Sequence, residues 1–381
     1  MDLLTRTWNL LMEPTLKEIG EMQAIADAEG ADFQIQTWDR LYYAEKLRQE
    51  KFKLDAEAVK PYLELKNVVD AMFWAAGESF GFSFRELQGV PVISPDIRVF
   101  EVSQRGNVLG LLWTDLFQRQ GKGPASWASE YRTAESFNGK VLPLIALHSS
   151  VPQPLDDGPI LVPWERANVI FHEFGHALHM LSNGAAYPSL GSTDVPWDFV
   201  EVPSLLNERW LMNRKVLKRF MHHYETGEPM PDELIDRVEQ AAKHDRVFSA
   251  TLNFLATAIV DMRLHLLADG RDIDAMAEEK QILEELKLPP AIDLTLYASH
   301  AYHTFTEEYA AGVYTYLWSD VIAADIAEAF LAAPGGLFDP EVAERYRSMI
   351  LSVGNTVPPA EAFREFRGRD PDPDALMRRF Q

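Results

Sequence analysis

The sequence predicts a mainly α-helical fold that contains a small β-sheet. Segments with a helical spacing of apolar residues fill a lead-in over residues 1–90 and a longer part over residues 160–381. Between them, residues 91–155 hold apolar runs separated by turn signals, which are typical of strands. No linker-like stretch and no internal repeat divides the chain, so we expect a single domain over residues 1–381.

Proline and glycine mark the expected helix ends in the lead-in. Pro14 is expected to open a helix that ends just before Gly30, because proline fits the first helical turn and glycine fits the position after the last. Two further helices are predicted over residues 39–51 and 55–76, and Gly77 is expected to end the second.

The predicted sheet is built around a hairpin. The runs VPVISPDIRVFEVS and VLGLLWTDLF flank Gln104–Asn107, which has the composition of a hairpin turn. The run VLPLIALHSSV, residues 141–151, predicts a further strand, and we expect three or four strands in total. From Pro163 onward the sequence predicts helices almost throughout.

Charge and composition exclude several classes of function. The net charge of −22, from 58 acidic and 36 basic residues, argues against binding to nucleic acid or to an anionic membrane surface. Because the chain has no cysteine, disulfides, thiolate chemistry and cysteine-ligated metals are excluded. The N-terminus lacks the pattern of a signal peptide, and no run of about 18 apolar residues predicts a membrane span. We therefore expect a cytoplasmic protein.

The stretch FHEFGHALH, residues 171–179, predicts a metal site on a helix. In an α-helix, His172 and His176 lie one turn apart, offset by about 40° and about 6 Å, so both rings can reach one ion. Glu173 lies about 100° around the helix, where a general base can take a proton from metal-bound water. His179 lies about 10 Å beyond His172, so we expect it in the core or behind the ligands.

An HExxH pattern also arises by chance in solvated helices. The neighbouring Phe171, Phe174 and Leu178 argue against that alternative, because they predict a packed helix. Gly175 costs about 1 kcal/mol of helix propensity relative to alanine, which indicates that another element approaches closely there. Buried histidines and a buried carboxylate need partners, and a metal supplies them.

A catalytic zinc site needs a third protein ligand. Glu201 lies 25 residues after His176, at the start of an apolar helical stretch, and a helix–loop–helix return of that length can bring it over the first helix. Its apolar neighbours argue against the alternative of a surface carboxylate. Asp198 and Glu208 are both candidates to accept the second N–H of a ligating imidazole, and the sequence does not rank them.

These residues and several longer stretches resemble the thimet oligopeptidase family of zinc metallopeptidases, which also includes oligopeptidase A and bacterial peptidyl-dipeptidase. FHEFGHALH followed by the glutamate of DFVE resembles its zinc motif. The stretches QTWDRLYYAEKLRQEKFKL, VLGLLWTDLFQRQGKGPASW and FREFRGRDPDPDALMRR resemble other segments of its catalytic half. The resemblance implies an HExxH zincin-like catalytic domain of the thimet oligopeptidase type. It implies one Zn²⁺ per chain held by His172, His176 and Glu201, with Glu173 as the catalytic base.

A second stretch, HTFTEEYAAGVYTYLW, resembles the family segment that closes over bound peptide. The resemblance implies that His303, Tyr309 and Tyr316 stabilise the oxyanion that forms when a peptide carbonyl is attacked. The alternative is that the two tyrosines pack into the core. The sequence departs from the family at Thr306–Glu308, where the family has glycines.

The family also carries a long N-terminal helical region that forms the opposite wall of its substrate channel, and nearly all of it is absent here. We therefore expect a more open cleft, or a homodimer in which a second subunit supplies the wall.

The leading hypothesis is a zinc-dependent metallopeptidase that hydrolyses peptide bonds in oligopeptides, of the oligopeptidase or peptidyl-dipeptidase type. The strand near Ala146–His148 is expected at a sheet edge, where it could align the substrate by strand addition. One alternative is a zinc amidase that acts on a non-peptide or modified peptide substrate. Another is a zinc-bearing peptide-binding protein without turnover, which only the altered loop favours.

Overall fold

The computed structural model describes residues 1–153, 158–245, 249–305 and 309–379. The chain folds into two compact units. The first unit comprises Met1–Asp55, Asp236–Trp318 and Met377–Gln381, and the second comprises Ala56–Ile235 and Ser319–Leu376. Within the described ranges, no helix is long and apolar enough to cross a membrane.

The α-helices of the described residues, numbered α1 to α16 in chain order, dominate the fold. They are Asp2–Ala28, Thr37–Phe52, Ala56–Val59, Leu65–Phe80, Trp164–Ser182, Trp197–Val200, Val202–Leu211, Arg214–Phe220, Asp232–Asp245, Ser249–His265, Ala275–Leu286, Tyr302–Phe305, Tyr314–Ala332, Pro340–Tyr346, Pro359–Arg367 and Asp374–Arg379. Short 3-10 turns lie at Lys60–Tyr62, Pro188–Leu190, Ser192–Asp194 and Gly336–Phe338, and a π-helical turn lies at Arg347–Leu351.

The second unit contains the β-sheet. Its strands β1 to β5 are Phe82–Leu87, Arg98–Gln104, Asn107–Phe117, Trp127–Arg132 and Leu144–Val151. They lie in the order β1-β2-β3-β5-β4, in which β3 and β5 run parallel and the other neighbours run antiparallel. Helix α5 contacts β5 and also α7. The predicted fold class, mainly α with a small sheet, is confirmed.

The predicted start of the first helix is wrong, because Pro14 lies inside α1. Proline lacks the N–H for one helical hydrogen bond, and its ring crowds the preceding turn. Tertiary packing overrides this cost, since a buried stripe at helical spacing continues on both sides of the proline. The stripe consists of Leu4, Thr7, Trp8, Leu11, Thr15, Met22, Ile25 and Ala26.

The helix predicted over residues 39–51 is confirmed as α2, but the one predicted over residues 55–76 is divided. Pro61 lies in a 3-10 turn, and α4 begins only at Leu65. Gly77 lies inside α4 rather than at its end. Glycine fits at this position because a Cβ there would lie only 3.1 Å from the Phe82 carbonyl oxygen. The helix ends instead at Gly81, whose φ of +73° suits glycine.

The predicted hairpin is confirmed, with Gln104 paired to Asn107 at the ends of β2 and β3. Arg105 and Gly106 have φ values of +49° and +82°, as a two-residue hairpin turn requires. The sequence analysis missed β1 and β4. Since β4 covers one side of β5, the predicted edge position of Ala146–His148 is wrong, and β4 is the edge strand instead.

A buried carboxylate anchors the C-terminal part of the second unit. Asp325 on α13 is fully buried and accepts hydrogen bonds from Arg367 at 2.7 Å and from Arg369 at 2.6 and 2.8 Å. It also accepts from the backbone N–H of Asp372 at 2.8 Å. The charged network therefore ties α13 to the segment that follows α15.

Candidate metal centre

The HExxH motif lies in the middle of α5, where one side of the helix is packed and the other carries both histidines. Phe171, Phe174 and Leu178 are buried, as the sequence predicts. The rings of His172 and His176 lie one turn apart, with centroids separated by 5.2 Å, and both side chains remain partly accessible. Helical periodicity alone therefore gives the first two members of the site.

Gly175 explains how α7 can approach the motif. A Cβ at this position would lie 2.6 Å from the carbonyl oxygen of Pro203 and 2.6 Å from the Cα of Ser204, which is too close for any side chain. The side-chain amide of Asn207 then donates to the Phe171 carbonyl at 2.6 Å. The close approach expected from the glycine is confirmed, and it fixes where α7 places its N-terminus.

Glu201 lies between α6 and α7 and supplies the third side chain. Its Oε2 atom lies 3.2 Å from Nε2 of His172 and 3.1 Å from Nε2 of His176. The hydroxyl of Ser204, in the first turn of α7, donates to the Glu201 backbone carbonyl and to Oε2, both at 2.8 Å. Glu201 is only 5% exposed, so it is not a surface carboxylate.

These three residues form a metal-binding cluster. One donor atom from each of His172, His176 and Glu201 lies within 4.8 Å of the others. Two imidazole nitrogens and one carboxylate oxygen, converging in a largely buried position, make a donor set that suits zinc and leaves room for a further ligand. The residues present therefore fit a catalytic zinc ion.

The ionisable groups of this cluster shift each other's pKa values strongly. Burial lowers the pKa of His172, but hydrogen bonds to Glu201 and Glu208 outweigh it and raise that pKa to about 10. Burial raises the pKa of Glu201, yet the two imidazoles hold it well below its usual range. The two carboxylates therefore favour a positive charge at this position.

Glu208 on α7, and not Asp198, is the carboxylate that contacts the second nitrogen of His172. Its Oε1 atom lies 2.9 Å from Nδ1 of His172, so the ring can donate its second N–H to this carboxylate. Asp198 takes no such place in the structure, where its backbone carbonyl accepts from the hydroxyl of Ser319 at 3.1 Å.

Glu173 borders the cluster without joining it. The residue is 8% exposed, and its carboxylate lies near the backbone amide of Ala128 on β4. Burial raises the pKa of Glu173, while the charges of His176 and His172 oppose the rise. A carboxylate with a raised pKa beside a metal site is suited to accept a proton and pass it on.

The sequence analysis missed Ala128 because a backbone amide carries no side-chain signal. The only hint was the pair of aromatic residues Trp127 and Tyr131, whose even spacing places them on one face of a strand. His179 meets its expectation, since it is a core residue with 2% exposure, and its Nε2 has no hydrogen-bond partner among the described residues.

The residues implied for oxyanion stabilisation belong to the first unit. The rings of Tyr309 and Tyr316 stack at 5.4 Å with 12° between their planes. The backbone between them is anchored by buried Asp261, which accepts from the N–H groups of Ala311 and Val313 at 3.1 Å each. The side chain of His303 and the segment Thr306–Glu308 lie outside the described residues.

The chain that carries this cluster also matches a known protein family. Residues 1–381 match the profile of Peptidase family M3. The chain belongs to peptidase family M3. This membership confirms the resemblance that the sequence motifs indicated.

Named M3 relatives match nearly all of this chain. The dipeptidyl carboxypeptidase of Salmonella typhimurium is 35% identical over 367 residues, which cover 95% of this chain and 53% of the relative. Oligopeptidase A of Escherichia coli is 33% identical over 375 residues, which cover 96% of this chain and 54% of the relative. This M3 chain thus spans about half the length of the curated relatives it matches.

Solved structures show the same fold at low sequence identity. The M32 carboxypeptidase from Deinococcus radiodurans superposes with a TM-score of 0.53 and 12% identity, covering 99% of this chain and 77% of that one. A carboxypeptidase from Pyrococcus furiosus gives a TM-score of 0.50 and 14% identity, covering 94% of this chain and 65% of that one. The M3 chain therefore has a fold that extends beyond its own family.

Proposed function

We propose that this M3 chain is a zinc-dependent metallopeptidase that hydrolyses peptide bonds in oligopeptides, of the oligopeptidase or peptidyl-dipeptidase type. The observation that carries the proposal is the buried Glu173 carboxylate beside the cluster of His172, His176 and Glu201. Peptides are supported as the substrate class by the names of two relatives, dipeptidyl carboxypeptidase and oligopeptidase A.

In this proposal His172, His176 and Glu201 hold the zinc ion, and Glu208 fixes the orientation of His172. When bound, zinc polarises the scissile carbonyl and lowers the pKa of the attacking water towards about 7. Glu173 takes the proton from that water and later delivers it to the leaving amine. The nearby amide of Ala128 is proposed to keep this carboxylate aimed at the water.

Tyr316, together with Tyr309 or His303, is proposed to stabilise the oxyanion. This assignment rests on the resemblance of their sequence segment to the family and on the chemistry of phenol and imidazole donors. The stacked pair of tyrosines next to an anchored turn gives the two hydroxyls fixed positions within the first unit. A donor of this kind contributes about 2.7–4 kcal/mol in other hydrolases.

The substrate is proposed to bind along β4 in an extended conformation. β4 is the last strand of the sheet among the described residues, and its Ala128 lies against Glu173. An extended peptide can add to such an edge through main-chain hydrogen bonds, which suits an enzyme that accepts varied sequences.

We propose a single catalytic domain over residues 1–381 in a cytoplasmic protein without a nucleic-acid or membrane partner. A homodimer is proposed because α2 exposes apolar residues at helical spacing, with Trp38 79%, Leu41 72% and Tyr42 58% exposed. Sedimentation equilibrium at several concentrations tests the dimer, and a monomer at all of them would contradict it.

A mass-spectrometric digest of a mixed peptide library tests the function. The wild type and two variants, Glu173→Gln and Glu165→Gln, are each loaded with zinc and their metal content is measured. Glu165 is an exposed glutamate in the first turn of the same helix, so its variant controls for the loss of a carboxylate. We expect cleavage by the wild type and by Glu165→Gln, and a loss of at least about 10²-fold in Glu173→Gln with zinc retained.

The product masses separate release of C-terminal dipeptides from internal cuts. Full activity in Glu173→Gln would contradict the assigned base. Zinc binding without cleavage by any protein would contradict peptide hydrolysis and favour the amidase or the binding protein.

A further inference from the structure

A buried charged cluster lies in the sheet outside the metal centre. Asp115 on β3 is 2% exposed and accepts two hydrogen bonds from Arg119, at 2.5 and 2.9 Å. The ammonium group of Lys122 lies 3.0 Å from the same carboxylate and donates to the Asp115 and Phe117 backbone carbonyls. His148 on β5, 3% exposed, lies 2.9 Å from Asp115 through Nδ1. The proposed reaction uses none of these groups.

The proton on His148 can be placed from its partners. The Asp115 carboxylate can only accept, so Nδ1 of His148 carries the proton and donates. Burial lowers the pKa of His148, and a neutral ring leaves Nε2 as an acceptor. Nε2 accepts from the hydroxyl of Tyr131 at 3.3 Å.

The same ring contacts both aromatic residues of the edge strand. Trp127 stacks on His148 with centroids 4.4 Å apart and 19° between planes, and Tyr131 meets its edge at 6.0 Å and 86°. Both residues lie on β4, which within the described part of the chain pairs only with β5. An edge strand has half the backbone hydrogen bonds of an inner strand, so side-chain contacts contribute more to holding it.

Ala128 lies next to Trp127 and three residues before Tyr131 on this strand. Its backbone amide lies near the Glu173 carboxylate, and α5, which carries Glu173, contacts β4. A displacement of β4 would therefore move the amide that orients the proposed base. Misplacement of a catalytic group by about 1 Å costs up to about 10²-fold in rate.

We propose that His148 is a positioning residue for the peptidase reaction: by binding Trp127 and Tyr131, it fixes β4 so that the Ala128 amide holds Glu173 in place. The inference rests on the proposed function. Asp115, with its two cations, in turn holds the His148 ring in the tautomer that can accept from Tyr131.

Three variants and one control test this role. His148→Leu removes the ring and both polar contacts, and Tyr131→Phe removes only the contact to Nε2 at a half-exposed position where folding is not at risk. His148→Asn keeps an amide N–H that can still donate to Asp115, but it loses the stack on Trp127 and the contact to Tyr131. Val102→Ala is the control, because Val102 is fully buried in β2, which is separated from β4 by two strands.

Two quantities are measured on zinc-loaded protein: kcat and KM on a cleaved peptide, and backbone hydrogen exchange in segments that cover β4 and β2. We expect kcat to fall about 10–10²-fold in both His148 variants, with zinc content unchanged and faster exchange confined to β4. Tyr131→Phe is expected to change both in the same direction by a smaller factor. Val102→Ala is expected to speed exchange in β2 and to keep kcat.

Each other outcome counts against the proposal. Wild-type kcat and β4 exchange in His148→Leu would overturn it. Recovery of kcat in His148→Asn would show that pairing Asp115 is all that matters, and would also overturn it. If His148→Leu did not fold, unchanged β4 exchange and kcat in Tyr131→Phe would be decisive against it. If the wild type cleaved no peptide, the proposed function would fail, and β4 exchange would still decide whether His148 anchors the strand.

Discussion

The ring of His172 is held between two carboxylates, with Nδ1 at 2.9 Å from Oε1 of Glu208 and Nε2 at 3.2 Å from Oε2 of Glu201. With a metal bound at Nε2, the ring proton would lie on Nδ1, where Glu208 can accept it. Glu208 would thus orient the His172 ring, and Glu201 would bind the same metal ion as that ring.

This relationship predicts the effect of removing Glu208. Glu208→Ala is expected to weaken zinc binding about 10–100-fold, because the His172 ring loses the acceptor that fixes its tautomer and orientation. Competition with a chromogenic chelator measures the Kd. Asp198→Asn is the matched control and is expected to bind zinc with wild-type affinity. An equal loss in both variants would contradict the assignment of Glu208.

The close approach of α5 and α7 predicts that Gly175 tolerates no side chain. Gly175→Ala is expected to lower the free energy of unfolding by about 1–3 kcal/mol, because the new methyl group would overlap backbone atoms 2.6 Å away. Gly20→Ala is the control, since Gly20 lies inside α1 with no atom within 4 Å of an added Cβ. Removing this helical glycine is expected to stabilise by up to about 1 kcal/mol. Urea titrations measure the free energy of unfolding of both variants. A change of the same sign in the two variants would contradict the packing argument.

The buried His179 predicts a pH dependence of stability. Burial, with a smaller contribution from His176, lowers the pKa of His179 to about 3. The unfolded chain binds a proton at this residue below about pH 6.5 and the folded chain does not, so stability falls as pH falls from about 6.5 towards 3. From pH 7 to pH 5 this residue is expected to cost about 2 kcal/mol.

Urea unfolding of the zinc-free protein at several pH values isolates this effect. His179→Leu is expected to lose about 2 kcal/mol less than the wild type between pH 7 and pH 5. His300→Leu, at an exposed position, is expected to keep the wild-type dependence. Parallel pH profiles for His179→Leu and the wild type would show that His179 is protonated in the folded state.

The Asp325 network predicts a large effect at a distance from the metal. Asp325→Asn leaves Arg367 and Arg369 without the buried charge that they share, and is expected to destabilise by about 3–5 kcal/mol. Limited proteolysis should then cut the segment after α15 earlier than in the wild type. Glu344→Gln is the control, because Glu344 pairs with the exposed Arg105, and a change below about 1 kcal/mol is expected. A similar loss in both variants would contradict the role of burial.

The sequence by itself determined the helix of the HExxH motif, the pair of histidines on its face, the hairpin at Arg105–Gly106 and the membership of the family. These features depend on residues close together in the chain, where helical periodicity and turn chemistry act directly. Glu201 could be proposed because a helix–loop–helix return of 25 residues can bring it over the first helix and because its neighbours are apolar.

Only the tertiary structure decided which carboxylate supports His172, where α1 begins and which strand lies at the sheet edge. Glu208 and Asp198 both lie in helical sequence near Glu201, and the docking of α7 on Gly175 brings Glu208 to the His172 ring. Pro14 stays within α1 because packing on both sides of it outweighs a local preference. β4 lies at the edge of the sheet. The sequence did not predict this position because strand pairing depends on contacts across the fold, which local residue patterns do not specify.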